Sequence, residues 1–467
     1  MARTPRQRND KLLAMIEACG WSYEACAAAV RAVAEENGDD LSGCKRSLVA
    51  YWVAGVRPSG LTPRYIADAA SRRLGRVINP TELGFPTDGN LGPEFDGLDW
   101  WKQDAVTDLV TIGKADLERR EFAQKALYSL AALAVPLDKW QEIADRGRRA
   151  WRGGAAIGRR EIDAVREMFA VLSTADEQFG GGHARLAVIQ YLTTDVAGYL
   201  RGSFASDADR RAMFSAAAEL AWLAGWKSFD DSRHGPAQRY FVQSARLANE
   251  ADDRALAGFT LRAMAHQAVD LGHGQQALQL ADSALAWSRG RTTPAAAALF
   301  TILTARGYAA TGDRTRTTGA IKAAEGLLSA ADPGSEPIWI RTTKFTEAAL
   351  AHQTALALRD LGDLTEAERQ LKRSVATRNK EAKRRTHALT LAYLAEVQCS
   401  RGQLHEAGRN WNRALDNMSG VKSGRARTAV KTIRHRLGSL GPRTPAFAKR
   451  LDQRAAAFLR SDMPAMR

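Results

Sequence analysis

Four glycines recur at nearly regular spacing in the second half of this 467-residue chain, and small residues recur with them in register. The glycines are Gly272, Gly312, Gly362 and Gly402, separated by 40, 50 and 40 residues. An alanine lies seven residues before each glycine, and alanine, serine or threonine lies five and twelve residues after it. Small residues at fixed positions allow two helices of a hairpin to pack closely, so the pattern predicts stacked helix pairs, an α-solenoid.

The repeat pattern is clearest in the segments 361–375 and 401–415, and a degenerate earlier unit is expected around Gly235. It resembles tetratricopeptide repeats, which are helix pairs of about 34 residues, here with longer spacing. We therefore expect residues 201–467 to form a tetratricopeptide-like solenoid that ends in capping helices. A middle helical region is expected over 86–200, with a glycine- and proline-rich hinge at 85–93 and an inter-helix turn at 180–185.

Composition favours an all-α fold and argues against several functional classes. Alanine is abundant and aromatic residues make up only 7% of the chain, which favours helices over a large β-sandwich. No apolar stretch reaches the roughly 20 residues of a membrane span and no signal peptide is recognisable, so we expect a cytoplasmic protein without membrane contact. The four cysteines form no CxxC pair, and zinc-binding and catalytic motifs are absent. We expect no cofactor, no metal and no catalytic residues.

Charge is distributed unevenly along the chain. The formal net charge is +15, and residues 371–467 alone carry 22 Lys/Arg against 6 Asp/Glu. A basic chain attracts polyanions through its long-range field, which makes nucleic acid a candidate partner. The alternative is that arginine serves here as an ordinary solvated surface residue. The same two alternatives apply to the basic cluster Lys372, Arg373, Arg378, Lys380, Lys383, Arg384 and Arg385.

Residues 1–85 are expected to form a five-helix domain with a helix-turn-helix. Capping residues, glycines and prolines predict helices over 11–19, 22–37, 44–54 and 63–74, and a short fifth helix from Asn79. The third helix has an apolar stripe on one side. Its start and its other side carry Lys45, Arg46, Ser47 and Tyr51, and Arg57 and Arg64 flank it.

A recognition helix places the polar residues of its N-terminal end against base edges. By this logic Arg46 could contact guanine, Lys45 could neutralise a phosphate, and Arg57 and Arg64 could hold the DNA backbone. The alternative is an ordinary amphipathic helix with a solvated basic end. The run 47–58, S-L-V-A-Y-W-V-A-G-V-R-P, resembles the pattern S-x-V-x-x-W-x-x-G-x-x-P of XRE-like (Cro/C1-type) regulators, and 66–76 resembles the helix after it. The acidic segment 35–40 departs from the short turn that is usual there.

In the solenoid, the first helix of each pair is expected to line a concave wall. Counting back from the glycines places Asp270, Asp360 and Glu396 on that wall together with five basic candidates. Their cationic groups could hold a peptide backbone or carboxylate through charge-assisted hydrogen bonds. The alternative is a solvated groove without a ligand. The five candidates are Arg262, His266, Arg306, His352 and Arg359.

Three further segments extend the resemblance over nearly the whole chain. They are DEQFGGGHAR (176–185), LAWLAGW (220–226) and HGPAQRYFVQSARLA (234–248). They resemble actinobacterial helix-turn-helix regulators with tetratricopeptide-like C-terminal domains, and the domain order is similar to that of peptide-receptor quorum-sensing regulators. The resemblance implies a homodimer that binds double-stranded DNA under the control of a peptide or protein ligand. The alternatives are an adaptor that sequesters a separate regulator without contacting DNA, and an enzyme with an unrecognised site in the middle region.

Overall fold

The computed structural model describes residues 7–85 (without 38, 75 and 77), 104–118, 128, 156–440 (without 333, 335 and 344) and 445–461. The fold is all-α, with a solenoid-like C-terminal region, and the described strands are a single pair of two residues each. Two compact units are present, residues 1–150 with 233–239 and residues 151–232 with 240–467. The predicted middle region, residues 86–200, is divided between the two units. The predicted hinge at 86–93 lies outside the described residues.

The first unit contains four helices that pack around an apolar core, followed by one further described helix. Asn9 and Ser22 cap the first two, accepting hydrogen bonds from the backbone N–H groups of Leu12 (3.0 Å) and Ala25 (3.1 Å). Helix α2 packs against α3 and α4. The helices are α1 (Asp10–Ala18), α2 (Tyr23–Glu36), α3 (Arg46–Val53), α4 (Thr62–Leu74) and α5 (Ala105–Glu118).

The predicted fifth helix of this unit is instead a hydrogen-bonded turn. The N–H groups of Glu82, Leu83 and Gly84 each donate to the carbonyl three residues earlier. The segment is only a few residues long, because Pro80 opens it and Gly84, at a φ of 77°, ends it. A helix needs a longer run before its own hydrogen bonds outweigh the ordering of the backbone. The prediction of a helix here was therefore wrong.

The acidic segment between α2 and α3 is attached to α4. The hydroxyl of Tyr65 donates to the Asp39 carboxylate, and Arg72 forms ion pairs with Glu36 (2.8 Å) and Asp68 (2.7 Å). The Asp40 carboxylate accepts from the N–H of Ser42, which lowers its pKa. The longer connection thus has a structural role, since its carboxylates are paired within the domain.

The second unit contains the helical array, apart from residues 233–239, which belong to the first unit. A parallel pair of two-residue strands, β1 (Ala156–Ile157) and β2 (Ser203–Phe204), flanks the first helices. The helices before the array are α6 (Arg159–Phe179), α7 (Arg185–Tyr191) and α8 (Ala197–Leu200), with a π-helical turn (Leu192–Val196) between the last two. The array consists of α9 (Asp207–Asp230), α10 (His234–Glu250), α11 (Arg254–Asp270), α12 (Gly274–Ser288), α13 (Pro294–Ala310), α14 (Arg314–Ser329), α15 (Ile338–Thr343), α16 (Glu347–Asp360), α17 (Leu364–Thr377), α18 (Arg384–Ser400), α19 (Leu404–Met418), α20 (Gly424–Gly438) and α21 (Ala446–Ser461).

The four repeat glycines form the same turn in each of the four clear pairs. All four have a φ between 77° and 84°, a left-handed conformation in which a side chain is strained. In each turn the glycine N–H donates to the carbonyl three residues earlier, and the next N–H donates to the carbonyl five residues earlier. This is the Schellman motif, which satisfies the last carbonyls of the first helix. The repeat prediction is therefore confirmed in its local geometry.

Packing explains the small residues of the repeat. All twelve predicted small positions are buried, so each hairpin brings its two helices together where no large side chain intervenes. The short helix α15 accounts for the single 50-residue spacing. The degenerate unit differs from its prediction, because its turn lies at Ser232, with a φ of 59°, and Gly235 lies inside α10.

The inner face of the array is covered by other parts of the same unit. Helix α6 packs against α9, α15 and α18. The N–H of Lys422 donates to the carbonyl of Phe179 (2.7 Å), and the N–H of Gly182 donates to the carbonyl of Lys422 (2.9 Å). The end of the array thus meets the segment that precedes it. The expected open concave wall is closed at these positions, and four of its residues are buried, namely Arg262, His266, Arg306 and His352.

Candidate functional site

Helix α3 has one buried face and one exposed face. Val49, Trp52 and Val53 are buried in the domain core. The side chains of Lys45, Arg46, Ser47 and Tyr51 are exposed, and Tyr51 is 59% exposed. Of the two flanking arginines, Arg57 is exposed and Arg64 is half-buried. The structure therefore places the predicted contact residues of α3 on one accessible surface, with the apolar stripe turned inward.

The N-terminus of α3 is already occupied by a carboxylate. Lys45 is the N-cap residue and makes no side-chain cap, while the backbone N–H of Arg46 donates to Glu24 of α2 (3.3 Å). Glu24 also lies 3.5 Å from Arg31. A negative charge at a helix N-terminus is favourable because it opposes the positive end of the helix dipole. Any contact of α3 with an anion would therefore use its side chains.

The five predicted wall residues separate into two groups. Arg262, His266 and His352 are buried and line one common cavity. Arg306 is also buried, but it pairs with Asp270 (3.0 Å) and Asp360 instead of lining the cavity. Arg359 pairs with Asp360 (2.8 Å) and lies over the ring of Tyr393. A peptide in the predicted groove could therefore not reach four of the five residues, namely Arg262, His266, Arg306 and His352.

The cavity lies inside the second unit and has a volume of about 120 Å³. Its lining combines an aromatic side with a strongly basic side, and only one carboxylate, that of Glu177, is included. The aromatic side contains Trp222, Trp226, Phe259 and Phe345. The basic side contains Arg262, His266, His352, Arg378, Lys383, Arg385 and Arg425.

Stacked rings form the aromatic side. The rings of Trp222 and Trp226 stack with centroids 5.5 Å apart, and Trp222 stacks on Phe259 at 4.5 Å. Phe259 stacks in turn on Trp339 at 4.5 Å. Offset stacking of this kind stabilises a core beyond the area that it buries, and it holds the ring faces in fixed orientations. The aromatic side chains of this wall therefore hold one another in place.

Asp270 lies beside two arginines from other helices and a histidine of its own helix, next to the cavity. It accepts from Arg306 (3.0 Å) and Arg425 (3.1 Å), and His266 lies 3.4 Å away. Burial would raise the pKa of Asp270, but His266, Arg425 and Arg306 lower that pKa well below its usual range. Burial lowers the pKa of His266 to about 4, so the imidazole is neutral at pH 7 and the arginines supply the charge.

A second network crosses from α6 to α18. Arg385 pairs with Asp176 (3.1 Å) and Asp230 (2.8 Å), and Lys383 pairs with Glu177 (3.2 Å). Burial would lower the pKa of Arg385, but these carboxylates raise it; burial would raise the pKa of Glu177, but Lys383 and Arg385 lower it to about 2. The pairs are charged and mutually compensated.

Two lining arginines differ from the rest. Among the described residues, neither Arg262 nor Arg378 has a carboxylate within ion-pair distance. Arg262 contacts the Nδ1 of His266 (3.3 Å), and Arg378 donates to the carbonyl of Ala348 (3.0 Å). Burial lowers the pKa of Arg262 to about 9 and that of Arg378 to about 10. Both therefore place a guanidinium at the cavity without a carboxylate at ion-pair distance, although Asp270 and Glu177 act on them from further away.

Several buried polar atoms at the cavity have no hydrogen-bond partner within the described part of the chain. They include the Nε atoms of Arg262 and Arg378, the indole Nε1 of Trp222 and the amide Oε1 of Gln353. Buried polar groups are nearly always hydrogen-bonded in folded proteins. Four such atoms around one cavity indicate a place built for a polar group that the chain itself does not supply.

Sequence reasoning missed part of this site. It considered Arg378, Lys383 and Arg385 as an outer surface cluster, whereas all three line the cavity. Trp222 was noted only within a segment that resembles other regulators. The one available signal was two tryptophans four residues apart on a helix otherwise rich in alanine, which places both on one face. Within the described residues, no group of three or more His, Cys, Asp or Glu side chains could hold a metal ion.

The fold defines an all-α protein with a small N-terminal helical domain and a C-terminal solenoid. A family model described as the SP15 N-terminal domain matches residues 12–86, which include most of α1 and all of α2 to α4. No curated protein and no solved structure matches the chain. Among the described residues, no helix is long and apolar enough to cross a bilayer.

Proposed function

We propose that the protein is a sequence-specific DNA-binding transcriptional regulator whose solenoid controls DNA binding. The observation that carries the proposal is the exposed polar face of α3, formed by Lys45, Arg46, Ser47 and Tyr51 on a helix whose other face is buried. A single α-helix fits the major groove, which is about 12 Å wide, and exposed arginine is the commonest reader of guanine there. The resemblance of 47–58 to XRE-like recognition helices supports the same assignment.

Each residue has a distinct role in this proposal. Arg46 contacts a base edge, Ser47 and Tyr51 contact bases or phosphate oxygens through their hydroxyls, and Lys45 neutralises a phosphate. Arg57 and Arg64, which follow α3, contact the DNA backbone. Because Glu24 occupies an N–H at the start of α3, phosphate binding depends on these side chains and not on the helix terminus.

The second unit acts as the regulatory part in this proposal. A ligand that binds one arrangement of the protein better than another shifts the population of the DNA-competent arrangement. We propose a homodimer, because dimeric regulators read two half-sites about one helical turn apart. The burial of four of the five predicted wall residues disfavours an extended peptide as the ligand, since α6 and the segment around Lys422 would have to move aside.

The experiment begins with selection of binding sites from random double-stranded DNA by the full-length chain. Affinity for the selected site is then measured by fluorescence anisotropy at several salt concentrations. Arg46→Ala should weaken binding by about 1–3 kcal/mol and relax the preference at one base pair. Lys45→Ala should weaken binding to all sequences alike and reduce the slope of log K against log salt by about 1.

Lys11→Ala is the matched control, because Lys11 is an exposed lysine on α1 and not on α3. It should leave the sequence preference unchanged. Failure to enrich any sequence, or equal effects of Arg46→Ala and Lys11→Ala, would contradict DNA recognition by α3. Capture of a separate regulator that persists after nuclease treatment would then favour the adaptor.

A further inference from the structure

The geometry points to a ligand site in the cavity of the second unit: it binds a small organic anion with a flat apolar body, such as an aromatic carboxylate or phosphate ester. The guanidiniums of Arg262 and Arg378 hold the anionic group, and the body lies against Trp222 and Phe259. Binding itself does not depend on the proposed function, although its effect on transcription rests on it. From the sequence alone, we expected Arg262 to line a peptide groove, and Arg378 to contact nucleic acid or lie on the solvated surface.

The first observation behind this inference is the balance of charge among the residues that line the cavity. Three of its cations have carboxylates at short range, namely Lys383 with Glu177 (3.2 Å), Arg385 with Asp230 (2.8 Å) and Arg425 with Asp270 (3.1 Å). For Arg262 and Arg378, no such carboxylate exists among the described residues. A buried charge without a counter-charge is costly, so proteins normally pair it. An anionic ligand supplies the missing charge.

The second observation is that several buried N–H groups at the cavity have no hydrogen-bond acceptor among the described residues. Arg262 is only 7% exposed and Trp222 only 4%, yet the Nε of the arginine and the Nε1 of the indole donate to nothing in the described chain. The Nε of Arg378 lacks a partner as well. All three atoms are N–H donors, which suit the oxygens of a carboxylate or phosphate. Gln353, whose Oε1 is also unpartnered, can meet a ligand hydroxyl or amide.

The third observation is the shape of the cavity. A volume of about 120 Å³ is close to that of an engineered apolar cavity of about 150 Å³ that binds benzene. The packed rings of Trp222 and Phe259 give the cavity an apolar aromatic side, and the guanidinium of Arg262 lies 5.9 Å from the ring centroid of Trp226. One ring with one anionic group fills such a space. An extended peptide does not fit.

Water is the competing occupant. A polar cavity of this volume has room for several water molecules, and they could satisfy the unpartnered N–H groups. Water cannot compensate the charges of Arg262 and Arg378, however. The two occupants therefore differ in one measurable way, because an anion gains affinity from those charges and a neutral molecule of the same shape does not.

The test titrates full-length protein with four probes by isothermal calorimetry, with tryptophan fluorescence as a second readout. The probes are benzoate, phenyl phosphate, inorganic phosphate and benzyl alcohol. We expect saturable binding of benzoate or phenyl phosphate, and their ranking tells a carboxylate site from a phosphate site. Benzyl alcohol lacks the charge and inorganic phosphate lacks the ring, so each should bind at least about tenfold more weakly.

Two variants with the same substitution separate ligand binding from structure. Arg262→Met should weaken binding of the best probe by about 10- to 100-fold while the thermal midpoint stays the same or rises, because an uncompensated buried charge is removed. Arg306→Met is the matched control. Arg306 lies on α13, which is the first helix of the following helix pair. This substitution should lower the midpoint, because Arg306 pairs with Asp270 and Asp360 and its loss removes both ion pairs.

Trp222→Phe provides a test that keeps the ring and all charges. It should weaken binding of the anionic probes severalfold and leave the weaker binding of benzyl alcohol unchanged. The inference is overturned if no probe binds saturably, if Arg262→Met binds benzoate and phenyl phosphate as the wild type does, or if it lowers the midpoint as Arg306→Met does. Probe binding without DNA binding would contradict only the proposed function, and the reverse would contradict only this inference.

Discussion

Many buried charges in the second unit are compensated by a partner of opposite charge. Lys227, fully buried, lies 3.4 Å from Asp176 and donates to the carbonyl of His183 (3.0 Å). Burial still lowers its pKa. Replacing one partner of such a pair leaves the other charged and desolvated, which is why these positions constrain one another more strongly than surface ion pairs do.

Glu219 is the exception among the buried carboxylates, and it gives a prediction on pH. It is 3% exposed, and burial raises its pKa to about 8, with Asp253 adding to the shift and Arg166 opposing it. The folded state therefore binds a proton that the unfolded state, with a carboxyl pKa near 4.5, releases. The contribution of protonated Glu219 to the free energy of unfolding is therefore complete below about pH 4.5. It is lost as the pH rises towards 8.

Glu219→Gln should remove this loss, because the amide cannot ionise. We expect a stabilisation at pH 8 on the order of 4 kcal/mol as an upper bound, and a much smaller one at pH 5. Urea unfolding at both pH values measures it. Glu325→Gln on α14 is the control, since Glu325 is exposed, and it should change little at either pH. Equal gains at pH 5 and pH 8 would contradict the shifted pKa.

At the scale of elements, the turn of each repeat is encoded by one glycine. Gly312 has a φ of 82° and an added Cβ would meet no atom within 4 Å, so only its backbone conformation resists substitution. Gly326, in the last turn of α14, also has open space around it but lies within the helix and has no positive φ. Within this repeat, the backbone conformation therefore favours glycine at Gly312 but not at Gly326.

This contrast predicts opposite effects of the same substitution. Gly312→Ala should destabilise the second unit by about 1–2 kcal/mol, because alanine is strained in the left-handed region. Gly326→Ala should stabilise it by about 0.5–1 kcal/mol, because alanine loses less backbone entropy in a helix. Thermal unfolding followed by circular dichroism measures both. Effects of the same sign would show that the turn does not depend on the glycine conformation.

At the scale of the whole molecule, the second unit is more than a row of neighbouring repeats. Solenoids are usually held only by contacts between adjacent repeats. Here Thr386 donates to Glu177, 209 residues earlier, and Ser423 lies near the carbonyl of Asp230. These long-range bonds join the end of the array to the helices before it, so we expect the unit to unfold as one cooperative block.

Gly181 lies where these parts meet. An added Cβ would come within 2.4 Å of the carbonyl oxygen of Lys227 and 2.7 Å of the Cβ of Asp230, and its N–H donates to the Asp230 carboxylate (2.8 Å). Gly181→Ala should therefore lower stability by about 1–3 kcal/mol and broaden the unfolding transition. Gly198→Ala, with open space around it, is the control and should unfold like the wild type. A sharp, unshifted transition in Gly181→Ala would refute the closure.

The sequence by itself determined the local structure of this protein. The four glycine turns, the buried small residues and the cap at Ser22 follow from interactions within a few residues, which leave a local record in the chain. For the cap of α1, the sequence left both Asn9 and Asp10 as candidates, and the structure shows Asn9. The fifth helix and the turn near Gly235 were mispredicted, because both segments are short and neighbouring structure decides their conformation. The exposed face of α3 was predictable because its apolar stripe fixes which side is buried.

Only the tertiary structure decided which charges are inside. Arg262, His266 and His352 were predicted on one wall and do share the cavity, but sequence gave no reason for Arg306 and Arg359 to pair elsewhere. Arg378 and Arg385 enter the cavity because α6 and the segment at 420–425 close the array. Whether a charge is buried depends on partners that are two hundred residues away, and no local pattern records such a contact.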